Sequence, residues 1–210
     1  MKNKIKLIIS IIVILGFIWV AIGTSHVVPL DEKGNPLILA DEQSEDYLEG
    51  RWDTILEEID DNTIELTSLL QNGNGNFIEN IDDFGSGSKN ILTVSGTAQI
   101  ESVNTDSRAG FLTIKPIGYI GEYTFRLQIG PIFKGSTIRD GLSSIGFSDF
   151  DNQMDWSSLS GEIMEKLYDS SIAQLEFSST EGKMLDFIGC FALDANTKTV
   201  VISPVRIVME

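Results

Sequence analysis

Three clusters of polar residues have the types and spacing that could do chemistry. The first is Arg139-Asp140, with Lys134 just upstream. A guanidinium can grip a carboxylate or phosphate through two parallel hydrogen bonds. Adjacent residues on a helix point about 100° apart, so the spacing predicts that Arg139 and Asp140 do not pair with each other. Each then finds its own partner, and a structural clamp is favoured over recognition of a ligand. The second cluster is Asp149, Asp151, Asn152 and Asp155, oxygen donors of the kind calcium takes. It lacks the glycine turn and distal glutamate of an EF-hand, and helix capping by Asp151 or Asn152 explains half of it. No metal is expected. The third is Asp106-Ser107-Arg108, whose serine has no nucleophile elbow and no histidine to activate it. With 31 acids in the chain, any chosen carboxylate pair for acid–base work is uninformative.

Neither remaining reactive residue changes this reading. Cys190, the one cysteine, lies inside the apolar run FIGCFAL and suits a small buried hydrophobe. The one histidine, His26, is far away in sequence, so no thiol–imidazole pair is expected. No catalytic residue and no cofactor is assigned.

Two of the clusters hang on one stretch, LQIGPIFKGSTIRDGLSSIGFSDFDNQMDW, from Leu127 to Trp156. Leu127 and Ile129 end an alternating run that Gly130-Pro131 then breaks, because proline offers no N–H to a ladder. Ser136 or Thr137 can cap a short helix with Ile138, Leu142 and Ile145 on its apolar side and Gly146 closing it. Phe147 and Phe150 are expected to point somewhere dry. A longer helix follows from about Asn152 to Leu175, with Trp156, Leu159, Ile163 and Leu167 as its buried stripe and Ile172 and Leu175 open to assignment to a following turn.

Upstream, residues 41–62 repeat apolar positions at helical steps (Tyr47 or Leu48, Trp52, Ile55 or Leu56, Ile59), and a second short helix is predicted from Thr63 to Gln71. The stretches NGNGN and FGSGSKN match no phosphate-cradling loop and read as turns. From Ile91 to Gly130 the period changes to two: LTVSGTAQIESV, FLTIKPIGYI and EYTFRLQI read as an antiparallel meander. GKMLDFIGCFAL and KTVVISPVRIV read as a closing pair around Asp194-Ala195-Asn196. The fold expected is α+β: a small, half-open antiparallel β-barrel with an associated helical subdomain. In residue numbers this gives a helical part at 41–71, a meander at 84–135, a helical insert at 136–176 and a closing hairpin at 182–210.

The N-terminus sets the compartment. Lys2, Lys4 and Lys6 precede the uncharged run LIISIIVILGFIWVAIG, the pattern of an exported chain whose N-terminus stays in the cytoplasm. An uncleaved signal anchor over 1–24 is favoured over a cleaved signal, with an extended linker over 25–40 behind it. The formal charge of −16 is carried wholly by the residues beyond the lysine-bearing leader. Such a surface repels phosphate backbones, so nucleic-acid binding is not expected.

The strings VVPLDEKG, NTDSRAG, IGPIFKGSTIRDGLSSIGFSDFDNQ and ISPV together resemble the domain of unknown function 2291 family, predicted periplasmic lipoproteins. The matching positions are Arg108, Gly130, Pro131, Gly135, Arg139, Asp140, Phe150, Asn152 and Gln153. The resemblance implies a helical part beside an OB-like β-barrel and gene neighbourhood with sugar ABC transporters, hence an accessory role in solute uptake. It carries over no catalytic or ligand-binding residue. Lipoprotein relatives have a lipid-accepting cysteine where this chain has Thr24, so the anchor must be the helix itself.

The function expected is that of a non-enzymatic, membrane-anchored extracytoplasmic protein that binds a small solute or an ABC transporter component. Its candidate surface is the junction with Arg139, Asp140, Asn152 and Gln153, next to the barrel loop carrying Arg108. The alternative is a cell-envelope glycan hydrolase with two acids sharing one cleft.

Overall fold

The computed structural model of the chain describes residues 42–70, 75–77, 90–150, 152–194 and 196–209. The apolar leader and the linker predicted over 1–40 lie outside them, as does most of NGNGN and FGSGSKN. Among the described residues no helix is long and apolar enough to cross a membrane.

The period-two stretches become strands. After a two-residue strand β1 (Ile64–Glu65) these are β2 (Ile91–Asn104), β3 (Phe111–Pro116), β4 (Thr124–Gln128), β5 (Met184–Ala192) and β6 (Thr199–Met209). β2 pairs antiparallel with both β3 and β5, β3 with β4, and β5 with β6. The ring is closed by β4 and β6, which run parallel, so the barrel has one parallel seam where a wholly antiparallel one was expected. Fourteen residues let β2 serve two neighbours: Ile91 to Gln99 face β5, and Ala98 to Asn104 face β3. Between Ile100 and Ser102 the register slips, and such a bulge adds the twist a small barrel needs to close.

Alternation decides what each strand buries. Leu92, Val94, Ile100, Leu112, Ile114, Phe125, Leu127, Phe187, Phe191 and Ile202 fill the interior. Each gains roughly 1.5–3 kcal/mol from leaving water. Gln128, on the opposite side of the pleat from Leu127, is buried as well. The Gln128 amide donates to Ser203 Oγ at 2.9 Å and accepts from the Lys134 N–H at 2.8 Å, so its burial leaves neither end unpaired.

The helices form a second layer on one side of the barrel. They are α1 (Glu42–Asp61), α2 (Thr137–Gly141) and α3 (Gln153–Ser171). Ile55 and Ile59 of α1, Ile138 of α2, and Leu159, Ile163 and Leu167 of α3 pack on Ile91, Cys190 and Val205 of the barrel wall. Cys190 is buried against Thr93 Oγ1 at 3.4 Å, and burial pushes its thiol up to about 11, which keeps it an unreactive thiol. Asn152 caps α3, its Oδ1 accepting from the N–H groups of Met154 and Asp155.

Several local expectations give way. Of the second helix predicted from Thr63, only Leu66–Leu69 is helical among residues 63–70, as a 3-10 turn. Asn62 and Thr63 bond their side chains back to the Glu58 and Ile59 carbonyls and end α1. β1 then runs parallel to Val94 and Ser95 of β2, and Leu66–Leu69 forms a 3-10 turn. Burial of Leu66, Leu69 and Leu70 in the barrel core outweighs their helical spacing. α2 is a single turn. Leu142 already has extended backbone, and Ile145 is buried from the following loop. α3 ends at Ser171, and Ile172 and Leu175 fall in the turn after it, the second of the two assignments the sequence leaves open. Phe147 is 54% exposed, with its ring edge-on to Trp156.

Candidate functional site

The loop after β2, the turn after β4 and the chain leaving α3 meet at one pole of the barrel. Between them lies a groove of about 430 Å³. Thr105, Asp106, Ser107 and Arg108 form its polar rim. Ile129, Pro131, Ile172 and Leu175 form an apolar floor, with the rings of Tyr168 and Phe177 beside it. Its size falls in the range of pockets that hold small solutes. Among the described residues the Arg108 guanidinium has no hydrogen-bond or ion-pair partner, so its donors are available to a ligand.

Backbone contacts hold this pole together. The Gly110 carbonyl accepts from both Ile129 and Gly130 N–H groups, at 2.9 and 3.2 Å, and the Arg108 carbonyl accepts from Ile132 at 3.1 Å. A Cβ on Gly130 would lie 2.1 Å from the Arg108 oxygen and 2.5 Å from the Gly110 nitrogen. Only glycine permits that approach.

Arg139 and Asp140 lie elsewhere. Contrary to expectation they bond to each other: Arg139 Nε and Nη2 donate to Asp140 Oδ1 at 2.8 and 2.5 Å. Ser136 Oγ donates to Asp140 Oδ2 at 2.6 Å and turns the carboxylate back along the one-turn helix. The long arginine arm then folds over it. Nη1 donates to the Trp156 carbonyl at 2.8 Å, and the guanidinium stacks on the Trp156 ring at 4.2 Å. All three nitrogens are engaged, and they clamp α2 to the first turn of α3.

The rest of the junction is similarly committed. Asn152 Nδ2 donates to Asp155 Oδ2 at 2.7 Å. Asp149 accepts from Tyr47 Oη at 2.7 Å and from the Gly146 N–H, which holds its carboxyl below the usual range. Burial and that same hydrogen bond push Tyr47 up to about 12. Gln153 is exposed at the start of α3. Among the described residues no cluster of three metal-binding side chains occurs.

α1 is fastened to this junction by Glu58. Its Oε1 accepts from the Ser143 N–H and hydroxyl, and its Oε2 from the Ser144 N–H. Burial opposes the charged form, but these donors outweigh it and lower the carboxyl from its ordinary 4.5. A carboxyl that titrates lower when folded contributes stability above its unfolded pKa and loses it as pH falls through the folded one. Glu58→Gln is therefore expected to cost about 1–2 kcal/mol at pH 7 and progressively less below about pH 4. Urea denaturation at pH 7 and at pH 3.5 measures the difference.

The predicted surface thus divides in two. Trp156, which Arg139 grips, and Tyr168, which lines the groove, are twelve residues apart on α3, or about 18 Å at 1.5 Å per residue. Arg108 belongs to the groove at one end of that helix. Arg139, Asp140, Asn152 and Gln153 belong to the other end, not beside it. Tyr168 and Phe177 are the groove residues that sequence does not single out. Tyr168 sits one position off the Leu159–Ile163–Leu167 stripe, and that offset is its only signal.

A closed five-strand barrel with the ring order β2-β3-β4-β6-β5 and helices inserted between its third and fourth strands is an OB-type barrel. The crystal structure of an OB-fold protein from Thermotoga maritima is similar to it, with a TM-score of 0.55 at 13% identity over 80% of this chain and 98% of that one. An OBody, NL8, bound to hen egg-white lysozyme matches over 57% of this chain and 93% of its own at 9% identity; its TM-score of 0.26 lends no further support. The chain belongs to the family of predicted periplasmic lipoproteins called DUF2291, whose model matches residues 12–208. Membership points to an extracytoplasmic, membrane-attached location. No curated protein matches the chain.

Proposed function

We propose that this is a non-enzymatic binding module of the cell envelope, held at the outer face of the membrane by its leading apolar segment and serving sugar uptake beside an ABC transporter. The groove at the loop pole is its ligand site. The observation that carries this reading is a guanidinium, Arg108, unpaired among the described residues, at the rim of a groove with an apolar, aromatic-edged floor. Such a lining suits a small hydroxylated solute: rings cover the apolar face of a sugar, while Arg108, Asp106 and Ser107 meet its hydroxyls. The glycan-hydrolase alternative needs two acids in one cleft, and the groove lining includes one, Asp106.

The test is thermal denaturation of the full chain in detergent against glucose, galactose, ribose and maltose, followed by calorimetric titration. At a hundred times its Kd, a sugar is expected to stabilise the domain by about 2.7 kcal/mol. Arg108→Ala is expected to weaken that binding about tenfold, and Gln153→Ala to leave it unchanged. No shift from any sugar, together with no transporter component captured by cross-linking, would end the reading.

A further inference from the structure

The helical layer covers only part of the barrel wall. Among the described residues, no helix lies over β3, β4 and the first residues of β6. Their outward side chains are Phe111, Thr113 and Lys115 on β3, Thr124 and Arg126 on β4, and Thr199 and Val201 on β6. There is no acid among them, in a chain with 31 acids and 15 bases. Between Arg108 and Lys134 four bases accompany a single acid, Glu122, whereas α1 has nine acids and one base. Among the described residues, this barrel face carries cations and no acid in a strongly negative chain.

How those charges are held matters more than their number. The Arg126 guanidinium lies over the Phe111 ring at 4.6 Å, and the Lys198 ammonium, just ahead of β6, over the Tyr123 ring at 4.4 Å. Among the described residues Lys115, Arg126 and Lys198 have no carboxylate partner. A ring face orients a cation without neutralising it, which leaves its charge available to an incoming anion. The register places Thr113 opposite Arg126, which sets Lys115 diagonally from Arg126 at roughly 7–8 Å.

We infer that this face binds an acidic polysaccharide, a glycan chain bearing carboxylates. The cations supply charge complementarity. The hydroxyls of Thr113, Thr124 and Thr199 offer hydrogen bonds to sugar hydroxyls, and Phe111 offers a ring to an apolar sugar face. Three strands span about 10 Å, enough for about two sugar units. The described side chains of this face are cations and threonines beside Phe111 and Val201, not the cluster of large apolar anchors that holds a protein partner. Phe111 directly follows Gly110 of the groove, but the inference does not depend on what the groove holds.

Titration of the full chain with polygalacturonate tests it, with neutral dextran, polyglutamate and an oligothymidylate as comparators. Polygalacturonate is expected to bind, more weakly as salt rises. The Lys115→Gln/Arg126→Gln double variant is expected to lose at least tenfold, while Lys166→Gln, on the helical layer over Trp52, loses little. Circular dichroism verifies that the double variant is folded, and Arg126→Gln alone serves if it is not. Absence of binding, equal binding of dextran, or equal binding of polyglutamate or the oligothymidylate would overturn the inference.

Discussion

Gly130→Ala is expected to destabilise the domain by about 3–5 kcal/mol and to abolish whatever the groove binds. The added Cβ would meet backbone, not a side chain that can swing aside: the Arg108 oxygen at 2.1 Å and the Gly110 nitrogen at 2.5 Å. Relief requires the 105–110 loop and the 129–132 segment to separate. That movement stretches the hydrogen bonds from Ile129 and Gly130 to the Gly110 carbonyl and from Ile132 to the Arg108 carbonyl. Each lost bond leaves polar backbone poorly satisfied near the core, at roughly 1–3 kcal/mol apiece. Two other glycines control for composition. At Gly146 a Cβ would meet Ser148 Oγ at an ordinary 3.6 Å, so alanine there should be near neutral. At Gly161, inside α3, it would meet nothing within 4 Å, so alanine should stabilise by about 0.5–1 kcal/mol. Urea midpoints for the three variants, measured together, give the ranking. A Gly130→Ala protein as stable as the parent would mean that the loops at this pole are not locked as described.

The same glycine shows how far sequence reaches. Gly130-Pro131 marks the end of a strand on sight, because proline removes a ladder donor. That the glycine is also needed for a backbone crossing at Arg108 and Gly110 depends on residues some twenty positions away, and no local pattern carries it. The barrel strands were legible because Leu112, Ile114, Phe125 and Leu127 alternate with polar neighbours, and alternation is dictated by the pleat itself. The parallel seam between β4 and β6 was not, since strand direction at closure is a property of the whole ring. Leu66, Leu69 and Leu70 misled for a related reason. Their spacing fits one face of a helix, yet the side-chain bonds of Asn62 and Thr63 end the helix before them, and core burial then favours a tighter turn. Of the candidate site, sequence singled out Arg108 but placed it beside the wrong partners. Tyr168 and Phe177 reach the groove only because α3 is long enough to carry one end of it to the opposite pole from Arg139.

Arg139→Lys is expected to cost about 2–4 kcal/mol, nearly as much as Arg139→Ala. The clamp uses three nitrogens at once, two on Asp140 Oδ1 and one on the Trp156 carbonyl, with the flat guanidinium stacked on the indole. An ammonium keeps the charge but cannot supply the planar fork or lie flat on the ring. The arginine side chain is 10% exposed and that of Asp140 29%, so Asp140 in either variant stays partly desolvated while losing its main donor. Asp140 does retain Ser136 Oγ, which limits the loss. Asp140→Asn should therefore cost less than Arg139→Lys, and the double variant less than the sum of the two, by roughly 1–2 kcal/mol of coupling. The Trp156 emission gives a second readout that a surface residue would not move, since removing the stacked cation changes the polarity around the indole. If Arg139→Lys left both the urea midpoint and that emission unchanged, the clamp between α2 and α3 would be discounted as a source of stability, and Arg139 would again be free for a ligand.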